Sequence, residues 1–152
     1  MIPRCVRVCL GIAPLLIAVA ALPGTARAAG DADIAALQVA LKGVGLYGST
    51  IDGVRGPGTV RAVSAFQTSR RLVADGVAGA ATRRALGRRG GPAFGTRTLQ
   101  VGATGWDVAA LQFRLAWRGF PSGKFDGGYG GRTAAAVARF QLWAGLAGQK
   151  AR

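Results

Sequence analysis

Two stretches of the chain repeat one spacing of apolar residues, and this spacing predicts helices. Ile34, Leu37 and Leu41 recur at i, i+3 and i+7, which places them on one face of a helix. The positions 74 residues later are also apolar: Val108, Leu111 and Leu115. Each stretch is therefore predicted to form an amphipathic helix, which Gly45 or Gly119 terminates because glycine readily follows a last helical turn.

A tight turn and a second helix follow each of these helices. Asp52-Gly53 and Asp126-Gly127 are predicted to turn because Asp bonds its own backbone and Gly adopts positive φ. In the first copy the second helix is expected to begin at Gly56-Pro57, since proline is tolerated at the first helical position. Val63 and Phe66 give this helix an apolar stripe.

The first copy then repeats the turn on a smaller scale. Residues 75–82 have the same Asp-Gly-x-x-Gly-x-x-Thr pattern as residues 52–59, and they lead into a predicted third helix that ends near Leu86. In the second copy Gln149 and Lys150 occupy the positions of that Asp-Gly pair, so the third helix is expected to be absent. The sequence thus predicts an all-α fold of small three-helix bundle units with Asp-Gly turns, repeated in tandem.

The repeat itself has no gaps. Residues 33–72 align with residues 107–146, and 16 of the 40 aligned positions are identical. Between the copies, residues 89–98 are rich in Gly, Arg and Pro, which is typical of a flexible linker. The domains predicted from this pattern are a first copy at 29–88, the linker at 89–98, and a second copy at 99–152 that lacks its third helix.

The N-terminal segment, residues 1–28, has the pattern of a cleavable signal peptide. Two arginines precede an apolar run from Val8 to Leu22, and Ala26-Arg27-Ala28 offers small residues at a cleavage site. An uncleaved membrane anchor is the alternative, although the run is short for a spanning helix and contains Pro14. Cleavage would remove both cysteines, which excludes disulfides and zinc-thiolate sites from the mature chain.

The net charge of +14 falls to +11 when the three arginines of this segment are removed. Such a surface attracts polyanions, and export favours wall polymers, lipid head groups and peptidoglycan carboxylates over nucleic acid. Paired arginines at 70–71, 83–84 and 88–89 are either solvated surface or a source of adhesion to anionic wall polymers. The excess of Arg over Lys, 17 to 3, also fits a chain encoded by a GC-rich genome.

The inventory of reactive side chains excludes several enzyme classes. The chain has no His and no Glu, so a His-based triad and the usual His and Cys zinc sites cannot form. Three of the six aspartates lie in Asp-Gly turns, Asp33 and Asp107 are expected to start helices, and Asp31 is expected near a frayed end. We therefore predict no catalytic residue, no metal site, no cofactor and no enzymatic activity.

The ordered motifs resemble those of the peptidoglycan-binding-like domain, a small three-helix module found beside hydrolase domains of bacterial wall enzymes. In the second copy the matching residues run from Leu99 through Gly102, Gly105 and Asp107-Val108 to Leu111-Gln112, and continue through Asp126-Gly127, Gly130, Thr133, Ala136-Val137 and Phe140-Gln141. The first copy matches at Leu37-Gln38, Asp52-Gly53, Gly56-Pro57, Thr59, Ala62-Val63, Phe66-Gln67 and Asp75-Gly76. The first copy lacks the leading Leu-x-x-Gly-x-x-Gly segment, and the second lacks the closing turn and helix.

The resemblance implies a shallow groove near the loop between the first two helices of each copy. Aromatic faces, amides and arginines suit sugars and stem-peptide carboxylates there. The candidate ligand-binding residues are Tyr47, Arg55, Arg61, Gln67, Tyr129, Arg132 and Gln141. The two glutamines could instead bond the backbone of an Asp-Gly turn, and the two tyrosines occupy non-equivalent positions. Three tryptophans of the second copy either replace the missing helix or form an exposed adhesive face: Trp106, Trp117 and Trp143.

The function that these features favour is non-catalytic binding of cell-wall peptidoglycan by a secreted protein of the wall or periplasm. One alternative is a targeting or interaction module for a separate secreted wall hydrolase. Another is a cationic protein that binds anionic wall polymers or membranes through charge alone, without a membrane span after cleavage.

Overall fold

The computed structural model describes residues 30–146, and the signal peptide predicted for residues 1–28 lies outside them. Five α-helices and one 3₁₀ helix make up this part of the chain: α1 (Ala32–Gly43), α2 (Pro57–Ser69), α3 (Ala80–Ala85), the 3₁₀ helix (Gly87–Gly90), α4 (Trp106–Trp117) and α5 (Gly131–Trp143). Across residues 30–146 the β-type pairing is a single isolated bridge between Thr104 and Gly128. The all-α prediction is therefore confirmed.

The repeat predicted from the sequence is present in the helix boundaries. The bounds of α1 and α4 differ by 74 residues at both ends, and so do those of α2 and α5. Pro57 is the first residue of α2, as its missing N–H favours. The short helix α3 follows the second Asp-Gly turn of the first copy, and the described part of the second copy ends soon after α5.

The start of α1 differs from the expectation. Asp31, which the sequence placed near a frayed end, is the N-cap, and its Oδ1 accepts hydrogen bonds from the amides of Asp33 (2.7 Å) and Ile34 (3.3 Å). Asp33 lies in the first turn instead, where its Oδ1 accepts a 2.8 Å hydrogen bond from the Trp106 Nε1–H. The first copy is thus tied to the second by a side chain that was expected only to start a helix.

The first helices of the two copies, α1 and α4, pack against each other and form the most extensive helix contact in the structure. Both helices contribute alanines with short side chains to one buried cluster. The buried alanines are Ala35, Ala36 and Ala40 on α1 and Ala109 and Ala110 on α4. Leu37 and Leu41 of α1 are buried in the same cluster, which also contains Trp106 and Phe113 of the second copy. The two copies therefore share one core.

The segment between the copies is more ordered at its start than its composition predicts. Gly87–Gly90 forms the 3₁₀ helix, which contacts α1, α3 and α4. Gly90 is buried against the Arg83 backbone with no room for a Cβ atom, and the Arg83 Nε–H donates to the Gly90 carbonyl (3.0 Å). Here glycine permits close packing of backbones, whereas composition alone suggested flexibility.

Between residues 30 and 146, none of the helices has the length and apolar character that crossing a membrane requires.

Candidate functional site

The loop between α1 and α2 is held by one buried glutamine. The Gln38 Nε2 donates within 2.7 Å of Asp52 Oδ1 and within 3.1 Å of both the Val54 carbonyl and Thr59 Oγ1. Its Oε1 accepts from the amides of Asp52 and Gly53, each at 3.0 Å. The Asp-Gly turn needs Gly53 at φ 69°, a conformation that glycine adopts without strain. One side chain therefore fixes the turn and the start of α2.

The same arrangement occurs at two more turns. Gln112 bonds Asp126, Gly127 and Thr133 in the second copy. Gln67 lies 2.7 Å from Asp75 Oδ1 and 3.0 Å from Thr82 Oγ1, and its Oε1 accepts from the Gly76 amide at 2.9 Å. Gln67 was a candidate for ligand binding, but it is 2 % exposed and both ends of its amide are engaged by the turn. The sequence left two roles open for Gln67, ligand binding and bonding of an Asp-Gly turn. The hydrogen bonds of its amide correspond to the second role.

These contacts also change the electrostatics of the Asp75 carboxylate. The hydrogen bond from the Val77 amide (2.8 Å) and then that from Gln67 lower the pKa of Asp75 below its ordinary value of 3.8. The carboxylate is therefore ionised over the whole neutral range, and it is used to hold a turn.

The two candidate tyrosines are both buried. The Tyr47 ring belongs to the core, and its hydroxyl donates to the Thr50 carbonyl (3.0 Å). Tyr129 pairs through its backbone with Ala103 and Gly102, and burial raises the pKa of its hydroxyl. Neither ring offers an open face to a sugar in this conformation, because the aromatic surface is used for packing.

The other four candidates are accessible but do not meet. Arg55 is exposed and donates to the Gly76 carbonyl (3.1 Å), so it links the two Asp-Gly turns of the first copy. Arg61 on α2 and Arg132 on α5 are exposed, and Gln141 is half-buried near the end of α5. Within residues 30–146 no hydrogen bond or ring contact joins any two of the seven candidates.

A concave surface lies elsewhere, between the two copies. It is a cleft of about 1060 Å³. One wall is the face of α1 around Ala36, Val39 and Gly43, and the other is formed by residues 104–106 and 123–128 of the second copy. The cleft could not be predicted from the sequence, because it forms only where the two copies pack together.

Four cations line the cleft: Lys42, Arg88, Arg89 and Lys124. Within the described residues none of their side chains forms an ion pair or hydrogen bond, whereas Arg97 pairs with the buried Asp107 (2.7 Å). The one acid in the lining is Asp126, whose Oδ1 already accepts from Gln112 and from the Gly128 amide. The Arg88-Arg89 pair was noticeable in the sequence, but its convergence with Lys42 and Lys124 depends on the packing of α1 against α4.

Among residues 30–146, no three His, Cys, Asp or Glu side chains lie close enough together to hold a metal ion. The four cations that line the cleft suit the binding of anions.

Comparison with known proteins points to the bacterial cell wall. A family described as "Putative peptidoglycan binding domain" matches two segments, residues 30–86 and 104–148. The first segment contains α1 to α3, and the second contains α4 and α5.

Several enzymes contain regions similar to this chain. An N-acetylmuramoyl-L-alanine amidase, CwlM of Mycobacterium tuberculosis, is 46% identical over 91 residues, which cover 57% of this chain and 22% of the amidase. A spore cortex-lytic enzyme of Bacillus subtilis is 50% identical over 54 residues, covering 36% of this chain and 18% of the enzyme. The chain thus spans about a fifth of the length of these relatives. No solved structure is significantly similar to it.

Proposed function

We propose that this chain, which belongs to the peptidoglycan binding domain family, binds bacterial cell-wall peptidoglycan and does not itself hydrolyse it. The observation that carries the proposal is the family match to both copies, over residues 30–86 and 104–148. The named relatives are an N-acetylmuramoyl-L-alanine amidase and a spore cortex-lytic enzyme, and the similarity covers a minor part of each, as expected for a shared binding region.

The absence of catalysis is supported by how the chain uses its carboxylates. With no Glu in the sequence, a paired-carboxylate hydrolase would need two aspartates to converge in a cleft. Asp52, Asp75 and Asp126 hold Asp-Gly turns, and Asp31 caps α1. Asp107 pairs with Arg97, and Asp33 accepts from Trp106. Every aspartate therefore has a structural partner.

The candidate ligand-binding residues fall into two groups, one accessible and one buried, and each group has its own role in this proposal. Arg55, Arg61, Arg132 and Gln141 are accessible, so they could contact glycan or stem peptide directly. The buried group supports the surrounding loops instead: Tyr47, Gln67 and Tyr129. The place of action is the cell wall or periplasm, reached by export through the signal peptide proposed at residues 1–28.

A second candidate function is the targeting of a separate secreted wall hydrolase. It is favoured by one observation, namely that the relatives carry enzyme names while the chain spans only about a fifth of their length. In that case the chain would bind peptidoglycan and a partner hydrolase would cleave it. Binding to a purified hydrolase in the absence of peptidoglycan would favour this function.

Co-sedimentation with purified sacculi tests the main proposal. The chain is incubated at low and at physiological salt with sacculi stripped of teichoic polymers, and chitin of equal mass serves as the control particle. We expect retention on sacculi at both salt concentrations, no retention on chitin, and no release of soluble fragments. Loss of retention at physiological salt would instead indicate attraction through charge alone.

A further inference from the structure

The packing of α1 against α4 creates two equivalent spaces, one beside each helix, because the two copies are repeats. One space is filled by α4. Phe113 projects into it so closely that a Cβ atom added to Gly30 or Gly53 would lie 2.8 Å from its ring. Trp117 stacks on Phe113 from behind, with ring centroids 5.7 Å apart. Large aromatic side chains therefore close the space between α4 and the first Asp-Gly turn.

The other space is open, and it is the cleft described above. The residues of α1 that correspond to Phe113 and Trp117 at the offset of 74 are Val39 and Gly43. Both line the cleft, opposite Gly127 of the second Asp-Gly turn. The small residues Val39 and Gly43 of α1 thus leave the cleft open, whereas the larger residues at the equivalent positions of α4 fill the other space. This difference between the two spaces follows from the sequence.

The open space brings cations together from both copies. The Arg89 side chain lies over Gly43, where an added Cβ atom would be 2.7 Å from Arg89 Nε. Lys42 comes from α1, and Lys124 comes from the loop before α5 on the other wall. Four positive charges without an ion-pair partner among residues 30–146 stand at one cleft beside apolar side chains of α1.

We propose that this cleft is the binding site for a peptidoglycan fragment, in which free carboxylates of the stem peptide bind the cations and the attached sugar lies against α1. This inference rests on the proposed function. Arginine and lysine suit carboxylates, and charge-assisted hydrogen bonds are the stronger ones. The volume of about 1060 Å³ is that of a site for a molecule of several hundred daltons. Since both copies form the walls, neither copy alone has the site.

The first test fills the cleft without changing charge. Val39→Phe places on α1 the side chain that α4 carries at the equivalent position, and Val73→Phe, at an 82 % exposed residue, is the matched control. Affinity for a soluble disaccharide-tetrapeptide is measured by calorimetry, and folding is checked by thermal unfolding. We expect Val39→Phe to weaken binding at least about tenfold and Val73→Phe to leave it unchanged. Equal affinity of a folded Val39→Phe variant and the unaltered chain would overturn the inference.

The second test removes cleft charge and remains valid if Val39→Phe does not fold. Arg88→Gln with Arg89→Gln is compared with Arg71→Gln and Arg84→Gln, which remove the same charge from exposed positions outside the cleft. We expect the cleft pair to lower affinity roughly tenfold or more, and the control pair to lower it less than about twofold. Equal losses would assign the effect to net charge and overturn the inference.

The identity of the anion is tested with two further probes. Amidation of the stem carboxylates should abolish the difference between the unaltered chain and the Arg88→Gln, Arg89→Gln pair. Poly(glycerol phosphate) should not compete, and competition by it would reassign the cleft to wall phosphate polymers. The outcomes also separate the two proposals. If the Val39→Phe variant is retained on sacculi with unchanged affinity, only the proposal that the cleft is the binding site is refuted. If the unaltered chain does not bind sacculi, the proposed function, peptidoglycan binding, is refuted.

Discussion

The two copies share a helix plan but differ in what covers the end of the second helix. In the first copy Gln67 of α2 bonds the Asp-Gly turn at residues 75–76 and Thr82 of α3, and Phe66 and Gln67 are 1 % and 2 % exposed. In the second copy the equivalent residues, Phe140 and Gln141, are half-buried, and the Gln141 side chain forms no hydrogen bond among residues 30–146. The same sequence element is therefore fully buried in one copy and partly exposed in the other.

The equivalent aromatic residues of the two copies have different neighbours. Phe140, the equivalent of Phe66, contacts Phe120 and Trp143 at centroid distances of 5.6 and 6.0 Å. These rings pack together near the end of α5, where Leu142 and Trp143 are largely exposed. The second Asp-Gly turn and α3 thus supply hydrogen-bond partners to the end of α2, whereas the most extensive helix contact of the second copy is that of α4 with α1.

The largest expected difference concerns the equivalent phenylalanines. Phe66→Ala should lower the free energy of unfolding by about 3–5 kcal/mol, because it opens a cavity in a closed core. Phe140→Ala should cost clearly less, since its surroundings are half-open and can relax. Chemical denaturation of the two variants measures both values. Equal losses would show that the end of α5 is as well covered as that of α2.

The equivalent glutamines give the next largest difference. Gln67→Ala removes the acceptor of the buried Gly76 amide and one hydrogen bond of the Thr82 hydroxyl, which should cost about 1–3 kcal/mol of unfolding free energy. Gln141 has no side-chain hydrogen bond within residues 30–146, so Gln141→Ala should change stability by less than about 0.5 kcal/mol. Chemical denaturation of this pair provides the measurement. A large loss for Gln141→Ala would mean that a partner covers it.

The smallest expected effect is a pH dependence specific to the first copy. The pKa of Asp75 is lowered in the folded state, so its contribution to stability is present above pH 3.8 and is lost as the pH falls through the lowered value. Asp75→Asn keeps a hydrogen-bond acceptor but cannot titrate. Its unfolding temperature should therefore fall less steeply below pH 4 than that of the unaltered chain. Parallel acid profiles would contradict this role.

Much of the fold was predictable because it depends on local patterns. The i, i+3, i+7 spacing identified α1 and α4, Pro57 marked the start of α2, and the repeat offset predicted matching boundaries. The core shared by α1 and α4 was not predicted, because alanines make up much of it. A residue such as Ala36 adds little to a hydrophobic stripe, so its burial depends on a partner helix that no local pattern identifies.

The candidate site was less predictable for a related reason. Gln67 and Tyr47 are polar or aromatic residues next to a loop, which suggests ligand contact, but their polar atoms satisfy backbone groups of that loop. The cations of the cleft are distant in sequence, from Lys42 to Lys124, and only the packing of the copies brings them together. The sequence signal for the cleft was a difference in side-chain size between equivalent positions of the two copies, such as Val39 and Phe113.

The most direct test of the site between the copies is to map peptidoglycan binding residue by residue. Amide resonances of the isotope-labelled chain are followed by NMR during titration with the disaccharide-tetrapeptide. The account predicts that the largest shift changes include Lys42 and Gly43 of the first copy together with Lys124 and Gly127 of the second. Changes confined to one copy, or centred on the exposed arginines of α2 and α5, would contradict it.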